Sequence, residues 1–207
     1  MLHSTNPIFN LKSHIVSAII CLVLVCAFQT ELVAQKGNVW VFGDSSLIDF
    51  TNSNNPIPGH SVINSRGSST SVCNNNGYLL FSSSYNPDIL IAGVAGGEVY
   101  DHNNNLMLNG DNLKYGGWYQ EALIVPNPID SNEYYIFHVG VTDYFGLYYS
   151  TVNMLLNNGL GAVTQKNIQI LNLKSIDCIS AVKHGNGRDW WVFFKTFGSV
   201  ANNDFYK

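Results

Sequence analysis

The sequence predicts an all-β fold made of antiparallel hairpins, and three observations predict it. The first is recurrence: Val39-Trp-Val-Phe42, Tyr78-Leu-Leu-Phe81, Tyr134-Tyr-Ile-Phe137 and Trp190-Trp-Val-Phe193 share one aromatic form, each close behind a turn or loop rich in Asn, Gly, Ser or Lys. Their last phenylalanines fall at 42, 81, 137 and 193, the final two intervals both being 56 residues, which suggests one unit used several times. The second is turn chemistry. Asn-Gly pairs stand at 76–77, 109–110, 158–159 and 186–187, and Asn-Gly between apolar runs favours a type I′ hairpin because both residues tolerate positive φ. The third is the doubling of aromatics. Neighbours on a strand point to opposite faces, so Tyr134-Tyr135, Tyr148-Tyr149 and Trp190-Trp191 each put a large ring on both sides of a sheet. Both faces then need cover, which favours small antiparallel sheets packed face to face around an axis: a partial β-propeller of antiparallel meander blades.

The elements follow in chain order. Residues 1–34 read as a signal peptide: Lys12 and His14 precede the apolar run Ile15–Phe28, too short to cross a hydrocarbon core of ~30 Å, and Ala34 precedes a plausible cut that leaves Gln35 first in the mature chain. A lipoprotein anchored at Cys26 is the rival, disfavoured by the bulky Val25 before it. Strands are expected near 38–42, 72–82, 97–108, 119–126, 133–141, 146–154, 167–173, 178–184, 189–196 and 203–207, with 51–71 a polar loop punctuated by Pro56 and Pro58. Thr151–Leu156, the stretch nearest to a helix, opens with β-branched residues and ends at Asn157-Asn-Gly159, so it reads as a strand entering a turn. The residues 35–207 form one partial propeller-like domain of about three blades, fewer than the 4–8 of a closed ring.

Composition narrows function. The chain of 207 residues is 46% hydrophobic, enough for a core, and only 12% charged with net charge −4. It carries no basic stripe for phosphates, so nucleic acid is not an expected partner. After the signal is removed only Cys73 and Cys178 remain; a bridge is permitted outside the cytoplasm, and two buried small hydrophobes is the favoured reading.

Several motifs in shared order resemble one family. They are Cys73-Asn-Asn-Asn-Gly-Tyr-Leu-Leu-Phe81, Val99-Tyr-Asp-His-Asn-Asn-Asn-Leu-Met107 with Asn109-Gly110, Ala122-Leu-Ile-Val-Pro126, Tyr134-Tyr-Ile-Phe137, Leu147-Tyr-Tyr-Ser150, Leu156-Asn-Asn-Gly-Leu-Gly161 and Ala181-Val-Lys-His-Gly-Asn-Gly-Arg-Asp-Trp-Trp191. Together they resemble the propeller-like N-terminal region of large secreted Bacteroidota proteins, gliding-motility-associated or carrying a type IX secretion sorting domain. The resemblance covers nearly all of 35–207. It implies a cell-surface or extracellular location and further propeller after this region, while the count of about three blades leads to the expectation that the natural product continues beyond Lys207 or completes its ring with a partner.

Residues with chemistry are sparse. The histidines at 3, 14, 60, 102, 138 and 184 have no metalloprotease spacing and no Cys/His cluster reads as zinc, so no cofactor and no metal is expected. Asp101, Asn103 and Asn105 sit at alternate positions, as in a calcium loop, but Leu106 replaces the glycine such a loop needs. Asp143 stands on a loop and could join Glu121 or Asp189 as a catalytic carboxylate pair, and is better read as a solvated loop carboxylate. The ligand-binding candidates are Trp118 and Tyr119, a sugar-stacking platform behind Gly116-Gly117, and Lys183, His184, Arg188 and Asp189 around one hairpin. The functional expectation is a non-catalytic extracellular or cell-surface module for binding, adhesion or structure, with protein or glycan partners, no membrane span in the mature chain, and self-association through open blade edges. The alternative is a polysaccharide-active hydrolase or lyase on a propeller scaffold.

Overall fold

A computed structural model of the chain describes residues 36–89, 95–141 and 144–197. The expected signal peptide and the expected strand at 203–207 lie outside the described residues. Those residues hold twelve β-strands, one 3₁₀ turn at Asn157–Gly159 and no α-helix. The strands are β1 (Val39–Phe42), β2 (Ser46–Asp49), β3 (Ile57–His60), β4 (Ser69–Cys73), β5 (Leu79–Tyr85), β6 (Gly97–Asp101), β7 (Ala122–Pro126), β8 (Glu133–Gly140), β9 (Gly146–Asn153), β10 (Ala162–Leu171), β11 (Ser180–Lys183) and β12 (Trp190–Phe193).

Every sheet is an antiparallel meander of consecutive strands: β1-β2-β3, β4-β5-β6, β7-β8-β9-β10 and β11-β12, none of them closed. The first strands are neighbours in series, β1 beside β4, β4 beside β7 and β7 beside β11. Between β1 and β4 the contact is made by serine hydroxyls. Ser71 Oγ donates to the Val39 carbonyl (2.6 Å) and Ser69 Oγ to that of Val41 (3.1 Å), which sets the two strands antiparallel.

The doubled aromatics do what alternation requires. On the four-stranded sheet, Tyr134, Ile136 and Val152 turn toward the β4-β5-β6 sheet, where they pack with Phe81, Val99, Met107 and Leu113. Leu123, Val125, Val139 and Leu147 turn the other way, onto Ile179 and Phe194, with Phe137, Trp190 and Val192 against them. Phe81 meets Tyr134 edge-to-face at 5.5 Å. Phe81 and Phe137, 56 residues apart, thus occupy the middle strands of successive sheets and each faces the following sheet.

Several expectations are corrected. The stretch 72–82 is a hairpin rather than one strand, since its Asn-Gly turn lies between β4 and β5. The stretch 97–108 ends as a strand at Asp101 and turns through Asn104 (φ 64°). The 51–71 loop contains β3, in which Pro58 is tolerated because β3 is an edge strand. β2 follows a turn whose left-handed residues are Asp44 and Ser45 (φ 64° and 62°), so no Asn-Gly marks it. At 76–77 and 186–187 only the glycine has positive φ. With Gly77 N–H donating to Asn74 O and Gly187 N–H to His184 O, these are type I turns followed by a left-handed residue, not type I′ turns. Among the described residues no helix is long and apolar enough to cross a membrane.

The aromatic cleft, the candidate functional site

The first strands β4, β7 and β11 start at one common end. Glu121 N–H donates to Ser68 Oγ (3.1 Å), Gln120 N–H to Gly67 O (3.0 Å), and the amides of Cys178 and Ile179 donate to the carbonyls of Tyr119 and Gln120 (2.9 and 3.0 Å). The segment Trp118–Glu121 is thereby tied to the residues that lead into both neighbouring sheets. Gln120 adopts the left-handed conformation (φ 49°), which reverses the chain just before β7.

Beside this segment lies a cleft of about 440 Å³, lined chiefly by Arg66, Tyr85, Gly117, Trp118, Tyr119 and Tyr144. Its rings lie on glycine backbone. A Cβ on Gly96 would stand 2.4 Å from the Tyr85 ring and one on Gly117 2.6 Å from it, so Tyr85 fits between two positions that only glycine can fill. Tyr119 lies likewise on Gly67, at 2.9 Å from a Cβ built there. Trp118 and Tyr119 remain 50% and 66% exposed, although large rings normally bury themselves.

Beneath the loop is Glu121, fully buried. Its Oε2 accepts the Trp118 N–H at 3.4 Å while Oε1 has no hydrogen-bond partner. Burial, and secondarily the nearby charge of Asp177, pushes its pKa up to about 7, while the amides of Trp118 and Gly116 pull it down. Glu121, a possible partner for Asp143 by sequence, is therefore a buried carboxyl. Asp177 Oδ2 in turn accepts the Tyr119 N–H (3.4 Å), so both aromatic residues of the platform hang from carboxylates by their backbone amides.

The other buried polar groups are structural. His138 is fully buried between Tyr115 and Tyr148, stacked on the latter at 5.7 Å and 10°. Its Nδ1 faces the Lys114 carbonyl (3.1 Å) and so carries the proton; Nε2 then accepts from Ser150 Oγ (3.2 Å), which accepts the Asn167 N–H (3.1 Å). Burial lowers the His138 pKa to about 4, so the ring is neutral. Ser83 Oγ donates to Glu98 O (2.9 Å), leaving its lone pair for the buried Tyr115 hydroxyl at 2.8 Å.

The hairpin candidates stand apart from the cleft lining. Lys183, His184, Arg188 and Asp189 do come together at the β11–β12 turn, but they satisfy one another. Asn186 N–H donates to His184 Nδ1 (3.1 Å), Asn186 Nδ2 to Asp189 Oδ2 (2.7 Å), and Arg188 pairs with Asp189 at 2.9 Å. The Arg188 guanidinium, and then Asn186, hold the Asp189 carboxyl below the usual range. Lys183 Nζ lies 5.9 Å from the Trp190 ring centre. Asp101 is used the same way, its Oδ1 accepting the amides of Asn103 and Asn105 at 2.8 and 3.0 Å. Asp143 lies outside the described residues. Cys73 is buried, its Sγ accepting the Val39 N–H at 3.3 Å, whereas Cys178 is exposed and off any strand, contrary to the reading of two buried strand residues.

Arg66, Tyr85 and Tyr144 were not legible as site residues. They reach the cleft from the β3–β4 connection, the end of β5 and the β8–β9 connection, and the one local signal was Gly116-Gly117 in front of an aromatic pair. No family model, curated protein or solved structure matches the chain.

Proposed function

We propose that the chain is a non-catalytic, extracellular saccharide-binding module built on an arc of a β-propeller. The observation that carries the reading is the exposed pair Trp118 and Tyr119, laid on a loop bonded to both flanking sheets at a cleft of about 440 Å³. Sugar rings stack on aromatic faces through their C–H surface, and such stacking needs rings that are exposed yet immobilised. The arc reading is supported by successive meanders whose first strands adjoin, with β4, β7 and β11 starting at one end. Secretion after cleavage at Ala34, and kinship with the secreted Bacteroidota proteins, rest on the sequence motifs. Self-association would run through the outer sheet of β1-β2-β3, where Trp40 and Ile57 are exposed.

Binding of the exported chain to a glycan array tests the proposal. Trp118→Ala and Tyr119→Ala should each weaken the bound glycan by about tenfold or more, and leave the melting transition in place. Binding unaffected by both substitutions sinks it.

One observation favours the alternative of a polysaccharide hydrolase or lyase: a buried carboxyl of raised pKa, Glu121, with Asp177 as its charged neighbour beside the cleft. In that case Glu121→Gln would abolish release of reducing ends or unsaturated products from a bound polysaccharide. On the binding reading no such release occurs with either protein.

A further inference from the structure

Among the described residues the cleft lining holds one formal charge, Arg66, and no carboxylate, in a protein whose net charge is −4. Among the described residues Arg66 makes no ion pair, whereas Arg188 is held by Asp189 and Lys166 by Asp111. The carboxylates nearest the platform are occupied from the loop side: Glu121 is buried against the amides of Gly116 and Trp118, and Asp177 accepts the Tyr119 amide. Neither belongs to the lining, so no described residue of the cleft lining pairs with the guanidinium. Arg66 lies on the connection just ahead of β4 and also lines a second hollow together with Asp44 and Asn64. A guanidinium offers a rigid fork of donors matched to a carboxylate or a sulfate.

We infer that the cleft takes an acidic saccharide, a sugar acid or sugar sulfate, whose ring stacks on Trp118 and Tyr119 while its anionic group is held by Arg66. The inference rests on the saccharide-binding reading and narrows it to a charge class. The lining explains the division of labour. The aromatic faces grip any pyranose without regard to charge, and Arg66 discriminates between charged and neutral forms.

The test is affinity electrophoresis of the exported chain in matched gels. One pair contains a polyuronate and its carboxyl-reduced neutral form; the other contains a sulfated dextran and plain dextran. Retardation should be about tenfold stronger on at least one acidic polymer than on its neutral counterpart, and should weaken with added salt. Preference for the polyuronate alone or for the sulfated polymer alone identifies the anion. Arg66→Gln should erase the preference while retaining the weaker neutral binding, Arg66→Lys should keep part of it, and Trp118→Ala should weaken both members of a pair. Equal binding of acidic and neutral polymers overturns the inference and leaves the saccharide reading intact. Absence of binding to every polymer, with no hit on the glycan array, overturns both. If Arg66→Gln failed to fold, the matched polymers with the unaltered chain would still decide.

Discussion

Replacing Glu121 by Gln tests whether the cleft loop is held by a carboxyl that is protonated near neutrality. The side chain is fully buried, and burial moves its pKa from 4.5 to about 7. Between those values the folded state keeps a proton that the unfolded chain has released, so stability falls as pH rises through the window. Each pH unit is worth about 1.4 kcal/mol, and the gap from 4.5 to about 7 costs about 3 kcal/mol once ionisation is complete above pH ~8. His138 works in the opposite sense. Its pKa falls from 6.5 to about 4, so the unfolded chain binds a proton that the folded ring refuses, and stability rises with pH up to 6.5 by about 3 kcal/mol. In the native chain the two slopes nearly cancel between pH 4.5 and 6.5, and a net loss appears only above that range. Glu121→Gln removes one slope: its stability should rise to pH 6.5 and then stay level. Urea unfolding followed by tryptophan fluorescence at pH 4.5, 6.5 and 8.5 measures this. The stability difference between variant and native chain should shift by about 3 kcal/mol in the variant's favour from the lowest to the highest pH. A difference that stays constant with pH would refute the assignment of a buried, proton-holding carboxyl to the loop.

Three further outcomes are expected. Gly140→Ala should destabilise by more than ~2 kcal/mol, because a Cβ there would stand 1.6 Å from the Tyr144 carbonyl oxygen, whereas Gly159→Ala meets no atom and is strained only by its φ of 87°; thermal melts of the two separate a backbone clash from local strain. Cys178 should react with a maleimide in the native protein and Cys73 only after unfolding, as one is exposed and the other fully buried; mass spectrometry of the labelled chain reads this, and a single 73–178 disulfide would contradict it. Trp190→Ala should cost about 2–3 kcal/mol, more than Trp191→Ala, because Trp190 packs into the apolar cluster with Leu147 and Phe194 while Trp191 lies against His184; equal midpoints for the two variants would show that the faces of β12 are misassigned.

The strand propensities were legible because they are local. The alternation in Glu133–Gly140 and Gly146–Asn153 fixes which side chain meets which sheet, and the prediction of rings on both faces holds for Tyr134 and Tyr135. Turns written as Asn-Gly were found at 76–77 and 186–187; the turn through Asp44 and Ser45 was missed, because its positive φ values fall on an Asp-Ser pair and no Asn-Gly marks it. β3 was missed because a proline in a run argues against a strand unless the strand is known to be an edge, and being an edge is a property of the sheet.

Sequence by itself determined that the described residues are all-β, that their sheets are meanders of neighbouring strands, and that Trp118 and Tyr119 follow a Gly-Gly pair. Each of these depends on residues within a few positions of one another. Tertiary structure alone decided that Glu121 is buried and Asp189 is not, that the Lys183–Asp189 cluster spends its hydrogen bonds on its own turn, and that Arg66, Tyr85 and Tyr144 join the aromatic pair. Burial and convergence are set by contacts between segments up to 78 positions apart along the chain, Arg66 to Tyr144, and the pKa of a carboxyl follows its surroundings rather than its neighbours in sequence.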